Sequence, residues 1–273
     1  MEASENNFSF RPWMVDFTKA PDFLANRVND WVEERTFGKI RNFLTEESID
    51  PSTKMLLTSA LYFQGEWAKP LALIAPKSQF MQVTGNFNYF QDKDLQVLEL
   101  PYMDGDTSMV LALPSVACGL SDLEGSLNGE TLGKWMSQAK SRDVHVIIPK
   151  FGFDSTLELS EVLKATGVED PFLPENADFS GMMGVKKLYL GRVSHKTLIS
   201  VTEFGTEAES ESNTVSPPEE PGRKIASTPA LFEANRPFLF GIRHKHLSTY
   251  LLMGRVVIGP AALDSAVKAV VPQ

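Results

Sequence analysis

Apolar and polar positions alternate at helical or strand periods along most of this chain, and one long tract carries neither rhythm. From Pro21 to Arg35, Leu24, Val28, Trp31 and Val32 recur at helical spacing opposite Asn29, Asp30, Glu33 and Glu34, which predicts an amphipathic helix resting on an apolar surface. Pro21-Asp22 suits its start and Gly38 its end. Lys39–Leu44 predicts a further turn or two before Asp50-Pro51-Ser52 turns the chain. Lys54–Phe63 is nearly all apolar, which predicts a strand covered on both faces or a short buried helix. Gln96–Tyr102 and Ser108–Pro114 pair as strands across the Asp104-Gly105 turn. Leu120–Ala139 is helical through Leu123, Leu127, Leu132, Trp135 and Met136, and Gly125, Gly129 and Gly133 weaken it. Asp143–Phe153 is a strand bent at Pro149, and Leu159–Gly167 a short helix closed by its glycine. Val193–Val201 reads as a further strand, and an apolar pattern resumes at Phe232.

The exception is Glu209–Thr228, rich in Ser, Glu, Pro and Gly. It holds too little apolar surface to offset its ordering entropy and is expected as an exposed loop. Its first half alternates: Thr206, Ala208, Ser210, Ser212 and Thr214 fall on one side of an extended chain, and Glu207, Glu209, Glu211, Asn213 and Val215 on the other. Such a segment can enter a sheet with its small side toward a packed layer.

A length of 273 residues, 42% of them hydrophobic, suffices for one core, so residues 1–273 are expected to form a single domain. The net charge of −9 argues against nucleic acid and anionic membranes as partners, and no apolar run is long enough to span a bilayer. The start lacks the hydrophobic run of a secretory signal. One cysteine, Cys118, excludes an internal disulfide. His145, His195, His244 and His246 have no Gly-x-Ser-x-Gly elbow, Cys/His cluster or phosphate loop around them, so no catalytic set, cofactor or metal is expected. Ser137 and Lys140 have the spacing of a nucleophile pair but fit a solvated helix face better.

Several of these segments together resemble one family. Gly205-Thr206-Glu207-Ala208 followed by small residues is similar to the reactive-loop hinge of the serpins. Asn29–Ile40 resembles the motif after their sixth helix, Ala60–Trp67 their central strand, Asn176–Gly181 a further segment in the same order, and Phe232–Phe240 and Tyr250–Val257 their last two core strands. The resemblance covers roughly Val15 to Pro260. It implies a serpin-like α+β fold of mostly antiparallel sheets with packed helices and an exposed reactive loop (203–231), lacking the amino-terminal helices. The tail, 260–273, has no counterpart.

The activity implied is inhibition of a trypsin-like or elastase-like serine protease by a monomeric protein, not an enzyme. The protease cuts the loop and is trapped as an acyl-enzyme when the loop inserts into the sheet. The implied hinge is Glu203, Gly205, Thr206, Glu207, Ala208, Ser210 and Ser212. Candidate bait residues are Arg223, Lys224, Ile225 and Ala226; counting back from Phe232 favours Lys224–Ala226, and counting forward from Gly205 points near Glu219. Ser59, Trp67 and His195 are the implied sheet gate, with Ser59 where the family usually has asparagine. His195, in phase with Val193, Thr197, Ile199 and Val201, is expected to face inward. Thr206–Ser216 spans roughly 36 Å of strand at ~3.3 Å per residue, after which Pro217 and Pro218 cannot join a central ladder, so partial insertion is expected. The resemblance places the protein outside the cell, with the cytoplasm open. A non-inhibitory relative, acting as binding protein or protease substrate, and an inactive truncated product are the alternatives.

Overall fold

The computed structural model describes residues 12–19, 21–50, 52–75, 78–183, 188–206 and 228–257. Its helices are α1 (Pro21–Arg35), α2 (Leu120–Gly125), α3 (Gly129–Gln138), α4 (Ser160–Ala165) and α5 (Ser180–Met183). The strands are β1 (Leu56–Tyr62), β2 (Gly65–Glu66), β3 (Ala72–Leu73), β4 (Phe80–Gln91), β5 (Leu95–Pro101), β6 (Thr107–Pro114) and β7 (Lys140–Pro149). They continue as β8 (Phe151–Glu158), β9 (Arg192–Val201), β10 (Gly205–Thr206), β11 (Ala230–Glu233), β12 (Phe238–His244) and β13 (Thr249–Val256). Two compact units emerge, Met1–Phe63 with Phe153–Ile199, and Gln64–Gly152 with Ser200–Gln273.

In the first unit α1 buries Leu24, Ala25 and Val32 in a cluster with Ile40, Phe43, Leu44 and Ile49, against which Leu56, Ala60, Tyr62 and Leu198 pack. Trp31, expected inside, lies 37% exposed, where the Trp13 ring meets it edge-on at 6.2 Å and Arg27 lies over Trp13. The turn expected over Lys39–Leu44 does not form. The Asn29 amide holds both the N–H and the carbonyl of Leu44 at 2.8 Å, and the Thr36 hydroxyl accepts from Ile40 N–H at 3.0 Å. Side chains thereby supply the backbone partners that a helix would otherwise provide.

β9 is the middle strand. β1 runs parallel along one edge, from Leu56 opposite Arg192 to Tyr62 opposite Leu198, and β8 pairs with β9 as well. Lys54–Phe63 is therefore strand, not helix, but it is not covered on both faces: Leu57 is 44% exposed.

In the second unit the strand order is β11-β7-β4-β5-β6-β12-β13, with β3 on β4, and the pairings are antiparallel except β11 with β7. Every residue of β6 is buried. Leu123 of α2 and Trp135 of α3 pack over Leu95, Val97, Val110, Ala112 and Leu239. Three segments expected to be continuous are broken. Leu120–Ala139 divides where Asn128 caps α3 by accepting from Thr131 N–H. Asp143–Phe153 divides after Pro149 into β7 and β8, which pair in different sheets. Phe232–Phe240 divides before Pro237, which offers no ladder donor.

Candidate functional site

β9 ends at Val201, and the next five residues reverse the chain within a tight turn. Thr202 donates to the Gly205 carbonyl through its N–H at 2.8 Å and its hydroxyl at 3.2 Å. The turn returns β10 antiparallel to both neighbours, with Thr206 opposite Val201 and also opposite Gly65 of β2. A Cβ on Gly205 would lie 2.1 Å from the Gly65 oxygen and 2.7 Å from Glu66 Cα, so the approach admits only glycine. The turn is strapped at each residue. The carbonyls of Thr202, Phe204 and Glu203 accept from Trp67 Nε1 at 2.9 Å, Trp67 N–H at 3.0 Å and Leu71 N–H at 2.9 Å respectively.

Trp67, 1% exposed, stacks on Tyr102 at 4.7 Å with the rings 10° from parallel. The Tyr102 hydroxyl meets Thr206 Oγ1 at 2.6 Å, with both groups buried. Burial drives the Tyr102 pKa upward against the opposing hydrogen bond to Thr206, so the phenol stays protonated. Glu203 pairs with Lys150 at 2.6 Å, their side chains 17% and 28% exposed. Trp67, Glu203, Gly205 and Thr206 thus form one cluster at the foot of the predicted loop.

Ser59 and His195 form a second, separate contact in the first unit, opposite each other on β1 and β9 with Ser59 Oγ 3.1 Å from His195 Nδ1. His195 Nε2 meets Thr197 Oγ1 at 2.8 Å. His195 is half-buried, whereas Val193, Thr197, Ile199 and Val201, in phase with it, are buried. Trp67 belongs to the Thr202–Thr206 cluster and not to this pair.

A third cluster holds the start of β9. The Glu158 carboxylate accepts from the Ser160 hydroxyl at 2.5 Å and its N–H at 3.2 Å, from Val193 N–H and Ser194 Oγ at 3.3 Å, and from Arg192 Nε at 2.5 Å. Burial raises the Glu158 pKa, but the Ser160 hydroxyl and N–H, then Arg192 and Val193 N–H, outweigh it, so the group titrates below its ordinary value.

Glu207, Ala208, Ser210, Ser212, Arg223, Lys224, Ile225, Ala226 and the 260–273 tail lie outside the described residues. Lys140 donates to the Ser137 carbonyl and Ser137 Oγ to the Lys134 carbonyl, so the two functional groups do not engage each other. His246 pairs with Asp106 at 2.9 Å, and among the described residues no group of His, Cys, Asp and Glu is arranged to hold a metal.

Lys150, Tyr102 and Glu158 were not singled out from the sequence. Each reaches its partner across 53, 104 and 35 positions respectively, separations that no local period encodes. Lys150 had one usable signal, its place directly after the strand-ending Pro149.

The chain matches the family model described as serpin (serine protease inhibitor) over residues 1–258. It is 36% identical to human serpin B11, over 94% of this chain and 68% of that protein. It is 35% identical to the leukocyte elastase inhibitor of Xenopus tropicalis, over 88% of this chain and 67% of that one. It therefore spans about two thirds of these relatives' length. Its fold superposes on that of uncleaved ovalbumin with a TM-score of 0.81 at 28% identity, covering 94% of this chain and 72% of the other. A family-wide match in sequence and a shared fold, with the closely packed Gly205 turn at the end of β9, make this chain a member of the serpin family.

Proposed function

We propose that this protein inhibits serine endopeptidases by suicide trapping, its loop being cut and then inserted between β1 and β9. The reading is carried by a coincidence of register. Thr206 pairs antiparallel with Val201 and Gly65, and β1 pairs parallel with β9 at the same offset. Continuing the Thr206 pairing moves one residue back along β9 for each residue forward in the loop. Ala208 then meets Ile199, Glu209 meets Leu198 and Tyr62, Ser212 meets His195 and Ser59, and Val215 meets Arg192 and Leu56.

The inserted strand, ten residues and about 33 Å long, reaches the first residue of β9 before Pro217. The prolines fall beyond the ladder, which supports insertion along the whole of β9. The β1–β9 ladder is closed, so insertion exchanges one parallel ladder for two antiparallel ones, a net gain in pairing once the loop is cut. The hinge is Glu203 to Ser212, and Ser59 with His195 is the contact that must part.

The target follows the bait: Arg223 or Lys224 fits a trypsin-like pocket, and Ile225 or Ala226 an elastase-like one. The protein acts as a monomer and is no enzyme. The encounter is extracellular by resemblance or cytoplasmic, which fractionation decides. Incubation with trypsin and with elastase, followed by denaturing electrophoresis, tests the reading: a covalent complex of summed mass supports it, and clean loop cleavage with active protease overturns it. That second outcome fits a relative whose loop is only a substrate, a reading favoured by Pro217-Pro218-Glu219-Glu220-Pro221, a poor subsite run for a protease.

A further inference from the structure

The sheet of the second unit ends at β13, which among the described residues has one strand neighbour, β12. Alternate residues of such an edge turn their N–H and C=O groups outward, a template for another strand unless proline, short length or charge blocks it. β13 is eight residues long and holds no proline. Its one charged residue, Arg255, is already engaged with Glu124 of α2, with Nη1 3.1 Å from both carboxylate oxygens. Leu251 and Met253 are each 43% exposed, and Val257, just past the strand, 68%. An edge this long and this apolar calls for cover.

The register with β12 defines the two faces of that edge. Val256, Gly254 and Leu252 stand opposite Phe238, Phe240 and Ile242, all buried, so this face belongs to the core side, and Arg255 and Met253 alternate with it. Residues 258–273, which lie outside the described residues, carry the matching pattern in their sequence. Gly259-Pro260 marks a turn, and Pro260 cannot extend a ladder. With a four-residue loop over 258–261, Val257 meets Ala262, and each residue forward in the tail moves one residue back along β13. Leu263, Ser265 and Val267 then join the core-side face, with the small Ser265 opposite Gly254. Asp264 and Ala266 join the other face, with Asp264 opposite Arg255. A slip of one residue turns both Asp264 and Lys268 to the core side, so the pattern specifies this phase. The ladder runs out at Thr249, opposite residue 270, before Pro272.

We propose that residues 262–270 form an additional antiparallel strand on the outer edge of β13, closing the sheet of the second unit with the chain's own tail. The occupant is a segment of the same molecule because a four-residue loop brings it to the edge, whereas a second molecule must first give up its freedom in solution. The placement does not depend on whether the reactive loop inserts.

Hydrogen exchange read on proteolytic fragments of the full chain tests it. Amides of residues 263–269 should exchange at least about tenfold more slowly than in a synthetic peptide of residues 258–273. A chain ending at Gly259 should lose about tenfold of its protection in β13 and none in β6, as expected for ladder bonds of ordinary strength. V267D, which sets a carboxylate on the core-side face, should return the tail to the peptide rate, whereas A266D, on the opposite face, should leave it protected. Should the shortened chain not fold, the two aspartate variants decide the question by themselves. Peptide-like exchange of the tail in the wild type, unchanged β13 protection after truncation, or equal losses in V267D and A266D overturns the pairing. Protection that comes with a doubled mass in sedimentation and disappears on dilution assigns the edge to the tail of a second copy, and overturns the placement within one chain.

Discussion

Replacing Ala208 by arginine probes the insertion register where it is most demanding. In the continued ladder residue 208 lies opposite Ile199, which is 1% exposed, and in phase with Thr206, which is fully buried. A guanidinium delivered there has no anion in the register: the residues in phase on β9 are Val201, Ile199 and Thr197. An uncompensated buried charge costs about 3–5 kcal/mol. Residue 208 is among the first to enter, so the cost falls early in insertion, before the protease has been carried away from the acyl bond. At about 1.4 kcal/mol per factor of ten, trapping slows by about two to three and a half orders of magnitude against hydrolysis of the acyl-enzyme. A208R should therefore be cut at the wild-type rate and release active trypsin nearly every time. Titration of residual protease activity and denaturing electrophoresis read both quantities. The control is Glu220→Arg, five residues past Val215 and outside the ladder, which should trap normally. If A208R traps with wild-type stoichiometry, or both variants fail alike, the register is wrong.

Three further outcomes follow from contacts at the foot of the loop and the start of β9. Glu203→Lys sets two ammonium groups where a half-buried ion pair now stands; it should lower stability by about 3 kcal/mol, read as a depressed melting temperature, and Lys150→Glu in the same chain should restore much of it. Tyr102→Phe strands the buried Thr206 hydroxyl and should cost about 1–3 kcal/mol in denaturant unfolding, whereas Tyr102→Phe with Thr206→Val should cost less than the sum of the two changes. Because the folded-state pKa of Glu158 is depressed, its contribution to stability is present above the unfolded-state value and is lost as pH falls through the folded one; acid titration of the melting temperature should show a loss in that window which Glu158→Gln removes.

How much of this was legible beforehand differs between elements for identifiable reasons. Helix α1 announced itself because its burial repeats at the helical period, and the strands at β5, β6 and β9 because alternation or an apolar run is a local property. The breaks were not legible where a non-local partner decides them. Leu44 leaves the helical path because Asn29, fifteen residues earlier, satisfies both of its backbone groups. Trp31 lies partly outside, with Trp13 from the preceding segment against its ring in place of core residues. A helix-spaced tryptophan scores as interior whichever surface it meets.

The same distinction separates the parts of the site. Gly205 and Thr206 stood out through a local run of residues and Ser59 and His195 through the family resemblance, whereas Lys150 and Tyr102 became visible only once β7 and β5 had brought them to the end of β9. The geometry also changes how the prolines bear on the loop. Along the sequence, Pro217 looks like an early stop after eleven residues. Against the folded sheet it sits past the last rung, because β9 is itself only ten residues long and the turn at Thr202–Phe204 sets the count running from Val201. A limit that reads as a defect when measured from the hinge becomes a match when measured against the strand it would join, and that match exists only if the turn holds Thr206 in place. The closed space around Gly205 and the bond from Tyr102 to Thr206 therefore fix Thr206, the residue from which the register of an inserted strand would be counted.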